Sequence, residues 1–558
     1  MRRAASKLSR CFSSEKVFTS VRDPNIIDQT FDVTVLGGGS GGVAAANTAA
    51  AAGLKVALLD YVTPTPFGNT WGVGGTCVNV GCIPKKLYHH AAVANWDLKG
   101  LPDIGFKGID EPSLDWANLR KMIQFHIKRT SYGIRSGLLD SGVTYINSLG
   151  SLQSPSQVLF SPDKVALEGA LKGNIDRSLV GNFNTKYVIL ATGGRPVRPT
   201  EAEIPGASHM ITSDDLFSLQ KAPGKSLVLG AGYIGVESAS FLQLLGFQST
   251  IVARSQLLRG FDRGSVGLLQ EYMTKFGIDI LEGSTVSKIQ PDPSGSGYLV
   301  SITQTSDRSQ HPQGRPELAS AHFDTVIAAV SRRPETQLLN LSKLGVKIDS
   351  GSGKVLADSG SGEPDLTHHK NIYAIGDILH GAPELTPTAI KSGISVARKI
   401  AKKLCSKTVT ASDSVRFETF PTTVFSFPEL STCGLSEEAA RKIHGDAQVA
   451  VHHVVTTPLE EELVMHPFPA DDDNDAKIKS YFKVISLKDS GKIIGMHFVG
   501  RQAGEVIQGY AVAMANGLTV AQLHASVGIH PTIAEDFTNT IFEKSDSQDT
   551  VLPEKTSC

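Results

Sequence analysis

Two cysteines, Cys77 and Cys82, lie five residues apart in the stretch GGTCVNVGCIPKK. Residues five apart in a regular helix are separated by a rise of ~7.5 Å, whereas a disulfide accepts Cα–Cα distances of ~4.4–6.8 Å. A disulfide here therefore requires Cys77 to lie off the regular helix, and Gly81 supplies backbone freedom for that distortion. A helix N-terminus and the nearby Lys85 would lower the pKa of both thiols and make them reactive. On spacing alone, two unpaired core cysteines remain an equal interpretation.

A glycine-rich turn follows the first apolar run. Phe31–Leu36 predicts a strand, an alanine-rich helix follows the turn to about Ala52, and Lys55–Leu59 predicts a second strand that ends in Asp60. Glycines at GxGxxG positions let backbone N–H groups approach a pyrophosphate, and the acid suits a ribose 2′-OH. The glycines at these positions are Gly37, Gly39 and Gly42. The complete βαβ unit favours a dinucleotide site over a packing turn.

The same pattern occurs a second time. Ser226–Leu229 predicts a strand, a helix runs to about Leu245, and Ser249–Ala253 predicts the next strand. The glycines of this turn are Gly230, Gly232 and Gly235. The second strand ends in Arg254, with Arg259 five residues on, and arginine forks bind a 2′-phosphate that a carboxylate would repel. We predict NADP(H) at this second site and a nucleotide without the extra phosphate at the first.

The remaining sequence predicts further strands and a third domain. Tyr187–Leu190 predicts a strand that leads into Ala191-Thr192-Gly193-Gly194, and Asn371–Ile375 predicts one that leads into Gly376-Asp377. From about Val415, the strands are followed by helical segments, which is typical of an α+β domain. These strands are Arg416–Phe427, Lys479–Leu487 and Lys492–Val499. Surface loops are predicted at Asp292–Ser296, Ser306–Arg315 and Gly351–Glu363, and a solvated insertion rather than a metal site at Asp471–Asp475.

Charge and composition exclude several classes of protein. The 54 basic and 55 acidic residues nearly cancel, so no field for nucleic-acid binding is expected. Val33–Leu54 carries no charge over 22 residues, but its glycine cluster fits the βαβ unit better than a membrane span. Six cysteines are too few for a disulfide-stabilised scaffold of this length, and Cys405 and Cys433 are expected to be inert and buried. No metal site is predicted.

The first residues predict a targeting signal. Met1–Ser14 contains Arg2, Arg3, Lys7 and Arg10, is rich in serine, and has no acid before Glu15. This composition is typical of an organellar transit peptide. Arg10-Cys11-Phe12-Ser13 is similar to a mitochondrial cleavage site, so the mitochondrial matrix is the predicted location, with the plastid or cytoplasm as alternatives.

The cysteine motif resembles the redox motif of the class I pyridine nucleotide-disulfide oxidoreductases, the glutathione reductase superfamily. The stretch YVTPTPFGNTWG, which starts at Tyr61, is more similar to the large, animal-type thioredoxin reductases than to glutathione reductases. Ile211–Phe217, Leu257–Asp262 and Pro383–Pro387 support the same subgroup. The resemblance spans about Phe31 to Phe542. It implies FAD in the first site, NADPH in the second, a homodimer, and thioredoxin as the protein substrate.

The resemblance also implies roles for individual residues. Cys82 is the thiol beside the flavin, and Cys77 is the thiol that exchanges with the substrate disulfide. Lys85 lies near the flavin and pairs with Glu237, while His530 and Glu535 serve the flavin site of the partner subunit. The implied FAD residues are Gly37, Gly39, Ser40, Gly41, Gly42, Asp60, Thr76, Thr192, Gly193 and Asp377. The implied NADPH residues are Gly230, Gly232, Tyr233, Ile234, Gly235, Arg254 and Arg259, with Tyr233 covering the nicotinamide pocket.

The predicted fold class is α/β, with two Rossmann-like dinucleotide-binding domains for FAD and NADPH and a C-terminal α+β dimerisation domain. The expected boundaries place a transit peptide and linker at 1–27 and a mobile redox tail at 546–558. The FAD domain takes 28–197 and 336–408, the NADPH domain 198–335, and the dimerisation domain 409–545.

Three functions compete. NADPH-dependent reduction of thioredoxin through Cys77, Cys82 and a C-terminal redox tail is favoured. A glutathione reductase would act directly at Cys77, and a catalytically idle flavoprotein would only bind a partner. Dihydrolipoamide dehydrogenase is disfavoured, because an acid is expected where Arg254 stands.

The tail carries a further hypothesis. It ends in Thr556-Ser557-Cys558, whereas a redox tail needs two adjacent chalcogens. The thiol of Cys558 lies beside the terminal carboxylate, which disfavours the thiolate. In the family the tail ends in Cys-selenocysteine-Gly, and selenocysteine is encoded by UGA. We therefore expect a native chain that continues with selenocysteine and glycine.

Overall fold

The computed structural model describes residues 21, 23, 26–108, 113–305, 317–415, 419–463, 477–539, 542–543 and 554–555. All of Met1–Ser14, the loops predicted at Ser306–Arg315 and Asp471–Asp475, and Cys558 therefore lie outside the described residues. The strands, in chain order, are β1 Thr30–Leu36, β2 Val56–Leu59, β3 Thr144–Ile146, β4 Leu149–Ser154, β5 Gln157–Ser161, β6 Gly181–Leu190, β7 Gly194–Pro196, β8 Ser226–Leu229, β9 Ser249–Val252, β10 Asp279–Leu281, β11 Ser284–Pro291, β12 Tyr298–Gln304, β13 Glu317–Phe323, β14 Thr325–Ala328, β15 Arg332–Pro334, β16 Ile372–Ala374, β17 Pro421–Val424, β18 Glu429–Gly434, β19 Val449–Thr456, β20 Ser480–Leu487, β21 Ile493–Gly500, β22 Phe542–Glu543 and β23 Glu554–Lys555.

Helices connect most of these strands. The α-helices span Ser40–Ala51, Gly75–Val80, Cys82–Gly100, Trp116–Asp140, Lys164–Leu171, Ser213–Leu216, Tyr233–Leu244, Arg263–Lys275, Thr386–Leu404, Glu437–His444, Ala503–Ala515, Val520–His524 and Asp536–Asn539. Short 3₁₀ turns, such as Gly376–Ile378 and Ile533–Glu535, complete the connections. Within the described ranges, no helix has the length and apolar character needed to cross a bilayer.

The contacts divide the chain into two compact units. The first unit holds the described residues within Met1–Val80, Phe125–Arg195 and Arg332–Phe417. The second unit holds those within Gly81–Gln124, Pro196–Ser331 and Glu418–Cys558. The helix that begins at Cys82 is thus grouped with the second unit, and the domain boundaries given above stay a prediction.

The first unit is built on one sheet in the order β3-β2-β1-β6-β5-β4, with β16 paired to β6. Strands β3, β2, β1, β6 and β16 run parallel to one another, whereas β5 pairs antiparallel with both β6 and β4. Successive side chains of β2 enter opposite cores: Val56 and Leu58 join one cluster, Ala57 and Leu59 the other. Because both faces of the sheet are covered, its central strands are continuous apolar runs, which is why β1, β2, β6 and β16 could be predicted from the sequence. The sequence analysis did not predict β3, β4 and β5.

The second unit holds three sheets. The strands that contain the second glycine pattern form a parallel sheet of order β10-β9-β8-β14. The strands β11, β12 and β13 form an antiparallel sheet in that order. The third sheet has the order β17-β18-β21-β20-β19-β22, with β23 paired to β19. Helix Ala503–Ala515 packs its apolar side into a core with Phe482 and Phe498. The mixed α/β architecture with two parallel sheets confirms the predicted fold class.

A buried ion pair stabilises the first unit. Lys399 on helix Thr386–Leu404 is fully buried and pairs with Asp365. Its Nζ also lies 3.9 Å from Glu363, whose carboxylate accepts a hydrogen bond of 2.6 Å from Lys403. Such a network is stable only when every charge has a partner.

We expect Lys399→Met to lower the free energy of unfolding by about 3–5 kcal/mol, because Asp365 would stay buried without its cation. The matched control is Lys391→Met on the same helix, since the side chain of Lys391 is exposed to solvent. Chemical denaturation of both variants measures the difference. Equal destabilisation by the two substitutions would contradict this role of the buried pair.

Candidate functional site

The first glycine turn brings a helix N-terminus directly onto a strand. Gly37 has φ +111°, and a Cβ there would lie 2.3 Å from the carbonyl oxygen of Ala191. A Cβ on Gly42 would lie 1.9 Å from the carbonyl oxygen of Gly37, so no other residue fits. Helix Ser40–Ala51 starts after Gly39 with no side-chain cap. Its first N–H groups can therefore receive an anionic phosphate.

Asp60 stands at the end of β2, beside this turn. Its Oδ1 accepts a hydrogen bond of 2.8 Å from the N–H of Gly38. Burial raises the pKa of Asp60 to about 6, against this hydrogen bond. The second carboxylate oxygen is left to accept a hydroxyl donor. The turn and the acid together suit an adenosine diphosphate group, and the assignment of these residues to the flavin nucleotide stays a prediction.

Two other predicted flavin residues of the first unit, Thr76 and Asp377, interact with Arg332. The Arg332 guanidinium donates to Thr76 Oγ1 at 3.1 Å and to the carbonyl of Gly194. Burial raises the pKa of Asp377, the nearby Glu384 adds to the shift, and the charge of Arg332 opposes it. Sequence reasoning missed Arg332. The available signal was a pair of arginines in Ser331-Arg-Arg-Pro, at the start of β15.

Thr192 and Gly193 form part of the same region. Thr192 Oγ1 donates to the carbonyl of Glu335 at 2.8 Å, and the N–H of Glu335 donates to the carbonyl of Gly193 at 2.9 Å. Gly193 has φ +64°, which favours glycine. These bonds hold the segment at Thr192 and Gly193 beside the segment at Glu335.

The second glycine turn repeats the geometry of the first. Gly230 has φ +124°, and a Cβ on Gly235 would lie 2.1 Å from the carbonyl oxygen of Gly230. Helix Tyr233–Leu244 starts after Gly232, again without a side-chain cap, and Ile234 lies in its first turn. Tyr233 is 41% exposed at this N-terminus. The turn can hold a second pyrophosphate.

Arg254 and Arg259 are both exposed in the loop that follows β9. The two residues between them that anchor the loop, Leu257 and Leu258, are buried. In open parallel sheets, ligands bind at the carboxyl ends of the strands. Two exposed guanidinium groups at this edge suit a 2′-phosphate, and their assignment to the NADPH site stays a prediction.

The two motif cysteines lie on either side of a helix break. Cys77 is half-buried in the short helix Gly75–Val80, and the exposed Cys82 begins the helix Cys82–Gly100. Gly81 between them has φ −141° and ψ −113°, which interrupts the helix. Cys82 thus stands at a helix N-terminus without a side-chain cap, where the helix dipole favours a thiolate.

Lys85 and Glu237 form a close pair in the second unit. Lys85 Nζ lies 2.8 Å from Glu237 Oε1, and Glu237 is only 3% exposed. The same oxygen accepts the N–H of Phe425 at 2.9 Å, and Lys85 Nζ lies 4.6 Å from the centre of the Phe425 ring. This arrangement holds a cation one turn into the helix that Cys82 begins.

The sequence analysis missed a second carboxylate, Glu429 of β18, which contacts the first turns of the same helix. Glu429 Oε1 lies 3.1 Å from both Lys86 Nζ and His89 Nε2, and its Oε2 accepts the N–H of Gly504 at 3.2 Å. Burial acts to raise the pKa of Glu429, but the hydrogen bond to His89 and the charge of Lys86 outweigh it, so the pKa lies below its usual value. No local pattern joins residues 340 positions apart.

His530 and Glu535 meet within one loop. His530 Nδ1 lies 2.9 Å from Glu535 Oε1, and Glu535 also accepts the N–H of Thr532 at 3.3 Å. His530 is 67% exposed, whereas Glu535 is 14% exposed. A carboxylate at Nδ1 orients the ring and leaves Nε2 for proton exchange. The flanking Val527 and Ile529 are also exposed.

The remaining cysteines differ in burial. Cys433 is fully buried, and burial raises its pKa to about 11, as expected of an inert thiol. The expectation of a buried Cys405 is wrong: it is exposed, because it directly follows the last residue of helix Thr386–Leu404 and ends that helix facing solvent. Among the described residues, no cluster of three or more His, Cys, Asp or Glu side chains could hold a metal ion.

Comparison with known proteins gives consistent matches along the chain. The model of the pyridine nucleotide-disulphide oxidoreductase family matches residues 31–393, and that of the pyridine nucleotide-disulphide oxidoreductase dimerisation domain matches residues 420–541. "Thioredoxin reductase 2, mitochondrial" of Drosophila melanogaster is 38% identical over 536 residues, which cover 95% of this chain and 93% of the relative. "Thioredoxin reductase SEP1" of Emiliania huxleyi is 38% identical over 518 residues, 91% of this chain and 95% of the relative. The chain belongs to the pyridine nucleotide-disulphide oxidoreductase family.

Proposed function

We propose that this protein is an NADPH-dependent, FAD-containing reductase of the thioredoxin disulfide. The observation that carries the proposal is Cys82 at an uncapped helix N-terminus, one turn before the Lys85–Glu237 pair. Two glycine turns without side-chain caps accompany it, which suit two dinucleotides. The two relatives named thioredoxin reductases match this chain over nearly its whole length.

FAD and NADPH, when bound, supply the reducing equivalents. In the first unit, Asp60, Thr76 and Asp377 would hold the flavin nucleotide, and in the second unit Arg254 and Arg259 would hold the 2′-phosphate of NADPH. The rest of the chemistry belongs to thiols. Each turnover moves two electrons from the reduced pair of cysteines to the substrate disulfide.

The exchange step assigns one role to each thiol. In the proposed scheme the Cys77 thiolate attacks one atom of the oxidised C-terminal redox pair of the partner subunit and releases the other atom of that pair as an anion. The Cys82 thiolate then attacks the Cys77 sulfur, so Cys77 and Cys82 become a disulfide and the redox pair leaves fully reduced. The reduced pair passes the two electrons to thioredoxin by the same exchange, and the thiolates released must take up protons.

His530 is the proposed source of one of these protons. Its Nδ1 is occupied by Glu535, so Nε2 carries the exchangeable proton. The exposed position of His530, beside the exposed Val527 and Ile529, suits a residue that serves the partner subunit of a homodimer. The transfer of electrons from Cys77 and Cys82 through the C-terminal tail that contains Cys558 stays a prediction.

The proposed location is the mitochondrial matrix. The arginine- and serine-rich start of the chain supports it, and one relative is named as mitochondrial.

The proposed activity predicts a clear substrate preference. Purified protein that carries the expected C-terminal redox tail should oxidise NADPH with thioredoxin at a kcat/KM at least about tenfold above that for oxidised glutathione, because thioredoxin is served by the tail whereas glutathione would have to react directly at Cys77. Cys77→Ser should abolish both reactions, and Cys405→Ser, which changes an exposed thiol outside the motif, should leave them intact. A preference for oxidised glutathione would contradict the proposal.

The cofactor preference should reside in two side chains. Each charge-assisted phosphate contact contributes ~1.5–3 kcal/mol. Replacing Arg254 and Arg259 with Ala should therefore raise the KM for NADPH strongly and leave NADH use nearly unchanged. Lys288→Ala, an exposed cation of the same unit, is the matched control. Steady-state kinetics with NADPH and NADH measure both KM values. An equal rise in KM for both nucleotides would contradict the assignment of the two arginines to the 2′-phosphate.

A site shared between subunits should show complementation. Cys82→Ser and His530→Ala homodimers should each be inactive, because each lacks one part of every site. Mixed dimers should regain one working site of two, measured as thioredoxin reduction after verified subunit exchange. Absence of any recovery would mean that His530 serves its own subunit or no site at all.

A further inference from the structure

The loop that carries Arg254 and Arg259 has an unusual backbone. Leu258 adopts φ +46°, a left-handed conformation that leucine rarely takes. Its side chain is 1% exposed, and its N–H donates to the carbonyl of Ala231, inside the second glycine turn, at 2.8 Å. A residue stays in such a conformation only when its surroundings hold it there. We call residues 254–261 the arginine loop.

One side chain supplies most of the restraint. Arg263 donates from Nη1 to the carbonyl of Leu257 at 2.9 Å, from Nη2 to that of Leu258 at 2.6 Å, and from Nε to that of Phe261 at 3.1 Å. All three acceptors belong to the arginine loop. A planar guanidinium presents several donors in a rigid fork, so it holds several carbonyl groups at once, which a lysine cannot do.

Arg263 is itself held at a fixed position. It is the first residue of helix Arg263–Lys275, and the preceding Asp262 caps that helix through a 3.1 Å bond from the N–H of Ser265. The other Asp262 oxygen accepts Lys483 Nζ at 2.7 Å and the N–H of Glu437 at 3.1 Å. Asp262 and Lys483 are both buried. The fork therefore works from a rigid base.

A further bond of the loop leads to the connection between β10 and β11. The N–H of Leu257 donates to Glu282 Oε1 at 2.6 Å. Buried Leu257 and Leu258 thus have their backbone groups fixed on both sides, while Arg254 and Arg259 extend from the same loop into solvent. The distance and angle between these two exposed arginines are set by the backbone that Arg263 holds.

We infer that Arg263 is a positioning residue for nucleotide selectivity: its guanidinium fork sets the backbone between Arg254 and Arg259 so that both can engage one 2′-phosphate. Arg263 needs no contact with the nucleotide for this role. The inference rests on the proposed assignment of the second site to NADPH and names the residue on which the selectivity of that site depends.

Binding of two nucleotide fragments to the flavin-loaded dimer tests the inference. Calorimetry would compare 2′,5′-ADP, which carries the 2′-phosphate, with 5′-ADP, which lacks it. Arg263→Gln should weaken 2′,5′-ADP about tenfold, a loss typical of one charge-assisted contact, and leave 5′-ADP within about twofold. Lys275→Gln, which removes one positive charge at the other end of the same helix, should change neither.

A conservative variant separates geometry from charge. Arg263→Lys keeps the positive charge but loses the fork, so it should behave like Arg263→Gln. Full recovery of 2′,5′-ADP binding by Arg263→Lys would overturn the inference, since charge alone would then be sufficient. Unchanged selectivity in Arg263→Gln, or an equal loss of both ligands, would also overturn it. Retained 5′-ADP binding shows that the glycine turn is intact.

Nucleotide binding to the wild-type protein tests the NADPH assignment separately from the role of Arg263. A wild type that binds 2′,5′-ADP no better than 5′-ADP would overturn the NADPH assignment, and the inference with it. A wild type that prefers 2′,5′-ADP, together with an Arg263→Gln variant that keeps this preference, would overturn the inference alone.

Discussion

The contact on which the structure most depends is that between a helix N-terminus and the strand before it, with no side chain between. At both glycine turns a single Cβ would lie about 2 Å from a carbonyl oxygen, as at Gly42 and Gly235. Because glycine has no Cβ, each helix can start close to its strand and leave its first N–H groups open toward a phosphate. Asp60 accepts a hydrogen bond from the first glycine turn, and the arginine loop donates a hydrogen bond to the second.

Buried carboxylates organise the second unit in a recurring way. Glu237, Glu429 and Asp262 each combine a lysine with a backbone N–H from the C-terminal part of the chain. A buried carboxylate is tolerated only with several donors, so each one ties two distant segments together. Two of them, Glu237 and Glu429, fix the first turns of the helix that begins at Cys82, and the third supports the base of the arginine loop.

The groups proposed to act on nucleotide or substrate differ in burial from the groups that support them. The groups proposed to touch nucleotide or substrate are exposed or half-buried: Cys82, Tyr233, Arg254, Arg259 and His530. The groups that hold them are buried or partly buried and hydrogen-bonded. Rigid support of exposed functional groups is what a site needs when substrate geometry must be met within a fraction of an ångström. Arg263 is the same principle applied to nucleotide selectivity.

Sequence alone determined the features that depend on local order. Apolar runs, glycine spacing and the five-residue cysteine spacing are read over short windows, so both βαβ units, the helix break at Gly81 and the C-terminal sheet were all predictable. Apart from pairs that the family resemblance implied, such as Lys85 with Glu237, only the tertiary structure decided which side chains meet. Glu429 meets His89 from 340 positions away, and Arg332, in Ser331-Arg-Arg-Pro, reaches back to Thr76. Cys405 faces solvent although it was expected to be buried. Which side chains meet, and which remain exposed, follows from how distant segments pack, and no pattern along the chain records that packing.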